Sequence, residues 1–146
     1  MKKYKIGYTQ GVYDLFHIGH LNLLNKAKEQ CDYLIVGVNS DELVMNYKNK
    51  KTHINEYERA TIVNAIKSVD QVFIANTLDK KEIYKLVKFD AIFIGDDWKN
   101  DERWIKTQEE FAKINVDVVF LPYTQGISTT LLSKQLENST ETKSKE

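Results

Sequence analysis

Five short apolar runs, Tyr4 to Tyr8, Tyr33 to Val38, Gln71 to Ile74, Ala91 to Ile94 and Val116 to Leu121, recur along the chain with charged stretches between them. Each run has the length of a strand buried on both faces and lacks the charged stripe of a surface helix. Leu21 to Glu29, Glu56 to Ile66, Lys80 to Val87 and Glu102 to Ile114 instead mix apolar and charged residues at the spacing of one helical face. Strand and helix in alternation, joined by right-handed crossovers, predict an α/β domain: a mostly parallel sheet flanked by helices on both faces. Ligands of such sheets sit among the loops at the carboxyl ends of the strands. Four of those loops carry unusual residues, Gln10 to Gly19, Asn46 to Thr52, Gly95 to Lys99 and Pro122 to Ser128, so one site built from all four is expected.

Size and charge narrow the function classes. A chain of 146 residues has the length of one ordinary domain. Its 21 basic and 21 acidic residues cancel, so no global field draws nucleic acid. Cys31 is the one cysteine and has no partner for an internal disulfide. No signal-peptide-like start and no apolar run near the roughly 20 residues of a membrane span is present, so a cytoplasmic protein without membrane insertion is expected. From Glu137 to Glu146 the chain is polar and rich in serine and threonine. Such a segment cannot repay its ordering entropy, which predicts a folded domain over 1–136 and a disordered tail over 137–146.

The segment after the first run, Gly11-Val12-Tyr13-Asp14-Leu15-Phe16-His17-Ile18-Gly19-His20, places two imidazoles at a helix start. Free backbone N–H groups there favour a phosphate, and positively charged rings three residues apart would face it together. A metal half-site is the competing reading of H-x-x-H, yet Cys31 and His53 add no paired ligand spacing, so no metal ligands are assigned. Asp14 reads as a turn residue whose carboxylate ties down loop amides, since a carboxylate aimed at a triphosphate would repel it. Lys48, Lys50 and Lys51 form a basic patch, a run that by itself is most often solvated surface. Arg59 is either a two-point phosphate fork or half of an intrahelical ion pair. Gly95-Asp96-Asp97-Trp98 is of unusual composition for a bare turn and reads as a tight turn with Trp98 capping a core edge, and Gly126-Ile127-Ser128-Thr129-Thr130 is a helix cap or a second phosphate cradle.

The ten-residue segment resembles the G-x-F-D-x-x-H-x-G-H signature of the cytidylyltransferase family of nucleotidyltransferases, with Tyr13 in place of phenylalanine. Gly95-Asp96-Asp97-Trp98 and Gly126 to Thr130 are similar to the G-D-D-W and R-T-E-G-I-S-T-T segments of the family's glycerol-3-phosphate branch. The resemblance implies a Rossmann-like nucleotidyltransferase domain that transfers CMP from CTP to a small phospho-alcohol and releases pyrophosphate, with Mg2+ as cofactor and a homodimer as assembly. It assigns catalysis to His17, His20 and Lys48. Nucleotide binding falls to Gly11, Val12, Tyr13, Gly19, Arg59, Asp96, Gly126, Ile127, Ser128 and Thr129. Two family arginines are replaced, by Lys67 and Tyr123, and the family glutamate by Gln125. Lys67 and Tyr123 are therefore expected at the acceptor, and that acceptor is open: glycerol 3-phosphate, glycerol 2-phosphate, phosphocholine or phosphoethanolamine. Adenylyl transfer and a catalytically inactive nucleotide-binding module are the rivals. A glycerol acceptor would imply supply of wall teichoic acid or capsule.

Overall fold

Every one of the five apolar runs is a strand: β1 (Tyr4–Gly11), β2 (Cys31–Asn39), β3 (Gln71–Ala75), β4 (Ala91–Gly95) and β5 (Asp117–Leu121). The computed structural model describes residues 2–122 and 129–144, with side chains to 137. The strands form one sheet in the order β3-β2-β1-β4-β5, and every pairing is parallel. Strand order reverses at β1, so the carboxyl ends of β1 and β4 flank a natural crevice. The chain crosses over through α1 (Ile18–Gln30), α2 (Asp41–Lys48), α3 (Glu56–Asn64), α4 (Lys80–Leu86) and α5 (Glu102–Ala112), and α6 (Thr129–Ser144) follows β5.

Burial on two faces explains the unbroken apolar runs. Leu34, Val36 and Val38 of β2 pack with Leu24 and Ala27 of α1 and Val63 of α3 on one face. Ile35 and Ile92 face the opposite way, against Ile83 of α4, Phe111 of α5 and the ring stack of Tyr8 on Phe89. Two glycines permit this density. A Cβ on Gly7 would lie 2.6 Å from the Phe93 ring and 2.7 Å from Cys31 Sγ, and one on Gly37 would lie 2.2 Å from the Tyr8 hydroxyl.

Several element ends differ from expectation for local reasons. β1 continues past Tyr8 because Gln10 and Gly11 still pair with Gly37 and Val38 of the longer neighbour. α1 begins three residues before Leu21, since His17 caps it. Lys48 closes the last turn of α2 and is not in the loop, which begins at Asn49 in a left-handed conformation (φ 51°). α6 runs from Thr129 through Ser144, over most of the stretch from 137. Extending an existing helix costs each added residue far less than starting one, so polar composition alone does not end it. Among the described residues no helix is long and apolar enough to cross a membrane.

Candidate active site

A cavity of about 880 Å³ opens at the carboxyl edge of the sheet, within the size range of small-molecule sites. Gly11, Val12, Tyr13, His17, Gly19 and His20 line it from the first loop, Lys48 from α2, and Thr129 from the start of α6. The loops after β1, β2 and β4 thus converge as the alternation of elements required.

The two histidines interlock with the helix they begin. His17 Nδ1 accepts from Gly19 N at 3.0 Å, and His20 Nδ1 accepts from His17 N at 3.2 Å, a reciprocal cap made of imidazoles. The rings stack with centroids 3.9 Å apart, and His20 also packs on Tyr13 and Phe16. A nitrogen that accepts an N–H bond carries no proton, so each neutral ring has its hydrogen on Nε2, the end away from the backbone. Burial lowers the His17 pKa, and burial followed by repulsion from His17 lowers that of His20 to about 4. The expectation of charged rings and free amides is revised for these groups. The rings are neutral donors, and the amides of His17 and Gly19 are already bonded.

Asp14 sits between Tyr13 (φ 57°) and Leu15 (φ 50°), both in the left-handed region that costs a non-glycine residue about 1–2 kcal/mol. Its contacts hold that backbone in place. Oδ2 accepts from His53 N at 2.8 Å and Oδ1 from Ile54 N at 3.0 Å, while the Asp14 carbonyl accepts from Thr129 Oγ1 at 2.7 Å. Burial alone would raise the Asp14 carboxyl, but the bonds from His53 and Ile54 outweigh it and keep the group below its usual value. The structural role read from sequence fits these contacts. Thr129 donates its single hydroxyl hydrogen inward to Asp14, so that hydrogen is not available to a phosphate.

Arg59 matches neither reading of the sequence. Its side chain is fully buried; Nε donates to Ile54 O, Nη1 to Val12 O and Asn39 O, and Nη2 to Asp41 Oδ1 at 2.6 Å. The fork therefore binds the backbone beneath the cavity and faces no substrate. Tyr13 lines the cavity yet is buried, at 5% exposure, with its ring packed on Phe16 and His20. Asp96 is exposed and outside the cavity lining, because its residues turn in a 3₁₀ helix (Asp96–Trp98) that presents Asp97 and Trp98 to the cavity instead. Lys67 is exposed between α3 and the start of β3, at the amino edge of the sheet, and is not part of the cavity wall of this chain. Tyr123, Gly126, Ile127 and Ser128 lie outside the described residues.

Three cations of the lining were missed from sequence, Lys80, Lys81 and Arg103, of which Lys81 is paired with Glu110. Lys80, at the start of α4, lies in the wall with Nζ bonded to Leu78 O at 2.8 Å and 5.7 Å from the Trp104 ring centre; burial lowers its pKa to about 8. Arg103 lies with its guanidinium carbon 5.9 Å from the Trp98 ring centre. No motif marks these residues, since only the crossover of α4 and α5 brings them over the first loop. Burial, then the neighbouring Lys50, lowers the Lys48 pKa. Among the described residues no group of three or more His, Cys, Asp or Glu is placed to hold a metal ion.

Residues 8–135 match the cytidylyltransferase-like family model. The glycerol-3-phosphate cytidylyltransferase of Bacillus spizizenii is 39% identical over 130 residues, covering 88% of this chain and 94% of that protein. The FAD synthase of Thermococcus sibiricus is 35% identical over 135 residues, covering 92% of this chain and 91% of that protein. A lipopolysaccharide core biosynthesis protein from Thermoplasma volcanium has the same fold, with a TM-score of 0.69 at 27% identity over 83% of this chain and 97% of that one.

Proposed function

Because the chain belongs to the cytidylyltransferase-like family and is a CTP-dependent nucleotidyltransferase, we propose that it transfers CMP to glycerol phosphate, giving CDP-glycerol and pyrophosphate. A phosphate oxygen of the acceptor attacks the α-phosphorus of CTP; the new P–O bond forms as the bond to the β-phosphate oxygen breaks, and pyrophosphate leaves with that electron pair. His17 and His20 donate from Nε2 to oxygens of the α-phosphate, whose charge and crowding peak in the transition state. Neutral rings are suited to this, since they donate without surrendering a proton. Lys48, on the last turn of α2, supplies the positive charge. Gly11, Val12 and Gly19 let the nucleotide approach the backbone, and Asp97 with Trp98 lies on the nucleotide side.

The placement of Lys80 and Arg103 favours glycerol phosphate over phosphocholine and phosphoethanolamine. Both tryptophans of the cavity already face a cation of the chain itself, at 5.7 and 5.9 Å from their ring centres. A quaternary or primary ammonium would meet like charge there, whereas an uncharged polyol bearing a phosphate meets donors. Magnesium fits this site as an ion carried by substrate phosphates and water, given a wall of amines with few free carboxylates. When bound it would neutralise the departing pyrophosphate.

Pyrophosphate release measured with CTP or ATP against glycerol 3-phosphate, glycerol 2-phosphate, phosphocholine and phosphoethanolamine tests the proposal. Turnover is expected with CTP and a glycerol phosphate. Preference for ATP, as the similarity to an FAD synthase would allow, or for an amino-alcohol phosphate, would overturn it.

A further inference from the structure

Behind the histidine loop, three segments distant in sequence are joined through one imidazole. His53 Nδ1 lies 3.0 Å from Asp14 Oδ2, and its Nε2 lies 3.2 Å from Ser133 Oγ on α6. An ionised carboxylate has only lone pairs to offer, so Nδ1 carries the hydrogen. Nε2 of the neutral ring then accepts, and the Ser133 hydroxyl donates to it. Asp14 and Ser133 are 4% and 6% exposed, whereas the His53 side chain between them is 36% exposed, so water reaches the ring but not its two partners. One helical turn earlier, Thr129 Oγ1 donates to the Asp14 carbonyl. Residues four apart share a helix face, so α6 is fastened to the loop at two successive points of one face.

A serine, histidine and carboxylate in a row also suggest a hydrolytic triad, but the surroundings argue otherwise. Ser133 is buried beyond the first turn of α6, where backbone N–H groups bond along the helix and leave no oxyanion donors. The chain of bonds is suited to holding elements together.

We propose that His53 is a positioning residue of the transfer reaction: by clasping Asp14 and Ser133 it holds the start of α6 against the loop that carries His17 and His20, so the two walls that receive the nucleoside triphosphate are already assembled. This rests on the nucleotidyl-transfer reading above. Pre-assembly appears mainly as affinity for the nucleotide, because the clasp touches no reacting atom.

The test uses the full chain and the variants His53→Ala, His53→Asn, Ser133→Ala and the double variants, with CTP binding followed by quenching of Trp98 and Trp104 fluorescence and turnover by pyrophosphate release. His53→Ala is expected to raise both Kd and KM for CTP about tenfold with kcat within about twofold, and Ser133→Ala to raise them about threefold. Asparagine keeps a donor near the place of Nδ1, so His53→Asn should behave as Ser133→Ala does. Adding Ser133→Ala to either His53 variant should change nothing further, because the bond is already gone. Unchanged CTP affinity in His53→Ala, strictly additive effects, or a change confined to melting temperature overturns the clasp. Should His53→Ala not fold, the comparison of His53→Asn with Ser133→Ala decides. Wild-type protein that binds CTP but releases no pyrophosphate overturns the transfer reading instead, and the binding series still judges the clasp.

Discussion

The cavity wall and the layer directly beneath it use the same residue types in opposite ways. In the wall, His17 and His20 bond to the backbone through Nδ1 and keep Nε2–H for a ligand. In the layer beneath, His53 donates from Nδ1 to Asp14 and accepts at Nε2, leaving nothing over. Lys48 and Lys80 line the cavity, whereas Arg59 directs its fork at three carbonyls and Asp41. Which side of the loop a group lies on, and not its chemical type, decides whether it can act on a substrate. Loss from the lower layer should appear as lost stability or positioning, and loss from the wall as lost chemistry.

The largest expected effect breaks the lower layer. Arg59→Met leaves the carbonyls of Val12, Asn39 and Ile54 without their donor and should lower unfolding free energy by about 3–5 kcal/mol in a urea titration. A variant of normal stability with only a weakened KM would return Arg59 to the wall. Next comes His17→Asn, which keeps a good helix-capping side chain but removes Nε2–H. Steady-state assays should find kcat down about 10²–10³-fold, with the melting temperature nearly unchanged. Parity with wild type would show that the imidazole serves only as a cap.

A smaller effect follows from the depressed His20 pKa. The unfolded chain takes up this proton near 6.5, the folded chain only near 4, so the unfolded state binds more protons in between. Stability therefore falls as pH drops from 6.5 to 4, by at most about 3 kcal/mol from this group. His20→Asn, measured by urea unfolding across that window, should show a shallower decline; an identical slope would mean the ring titrates freely. Smallest is the effect at Lys80, whose pKa of about 8 implies that its charge fades above that pH. KM for glycerol phosphate should rise a few-fold per pH unit above 8 in the wild type, and Lys80→Met should remove that dependence. A flat wild-type profile would place Lys80 away from the acceptor.

Much of the fold was readable from the chain because strand burial is written as uninterrupted apolar runs and crossover helices as one-sided periodicity. The helix start at His17 was harder. The apolar pattern begins at Leu21, and only the reciprocal cap shows that Ile18 is already helical. At the site, His17, His20, Lys48, Gly11, Val12 and Gly19 do line one cavity, as the motif implied. Arg59 and Asp96 carried equally suggestive neighbours, yet each turns elsewhere, and Thr129 lines the cavity with its hydroxyl hydrogen committed to Asp14. Whether a guanidinium or hydroxyl faces in or out depends on which carbonyls the packed elements bring within reach. Lys67 shows the same limit at longer range, since a residue just before β3 falls at the amino edge of a parallel sheet and thus opposite the site.

By itself the sequence determined the parallel sheet, its carboxyl-edge loops and the histidine pair, because these follow from burial period and from spacing within one short segment. Tertiary structure alone decided which polar groups remain free to meet a ligand. Donors and acceptors separated by 39, 80 and 115 residues pair across the Asp14 loop, and a hydrogen bond between groups so far apart leaves no local pattern to read.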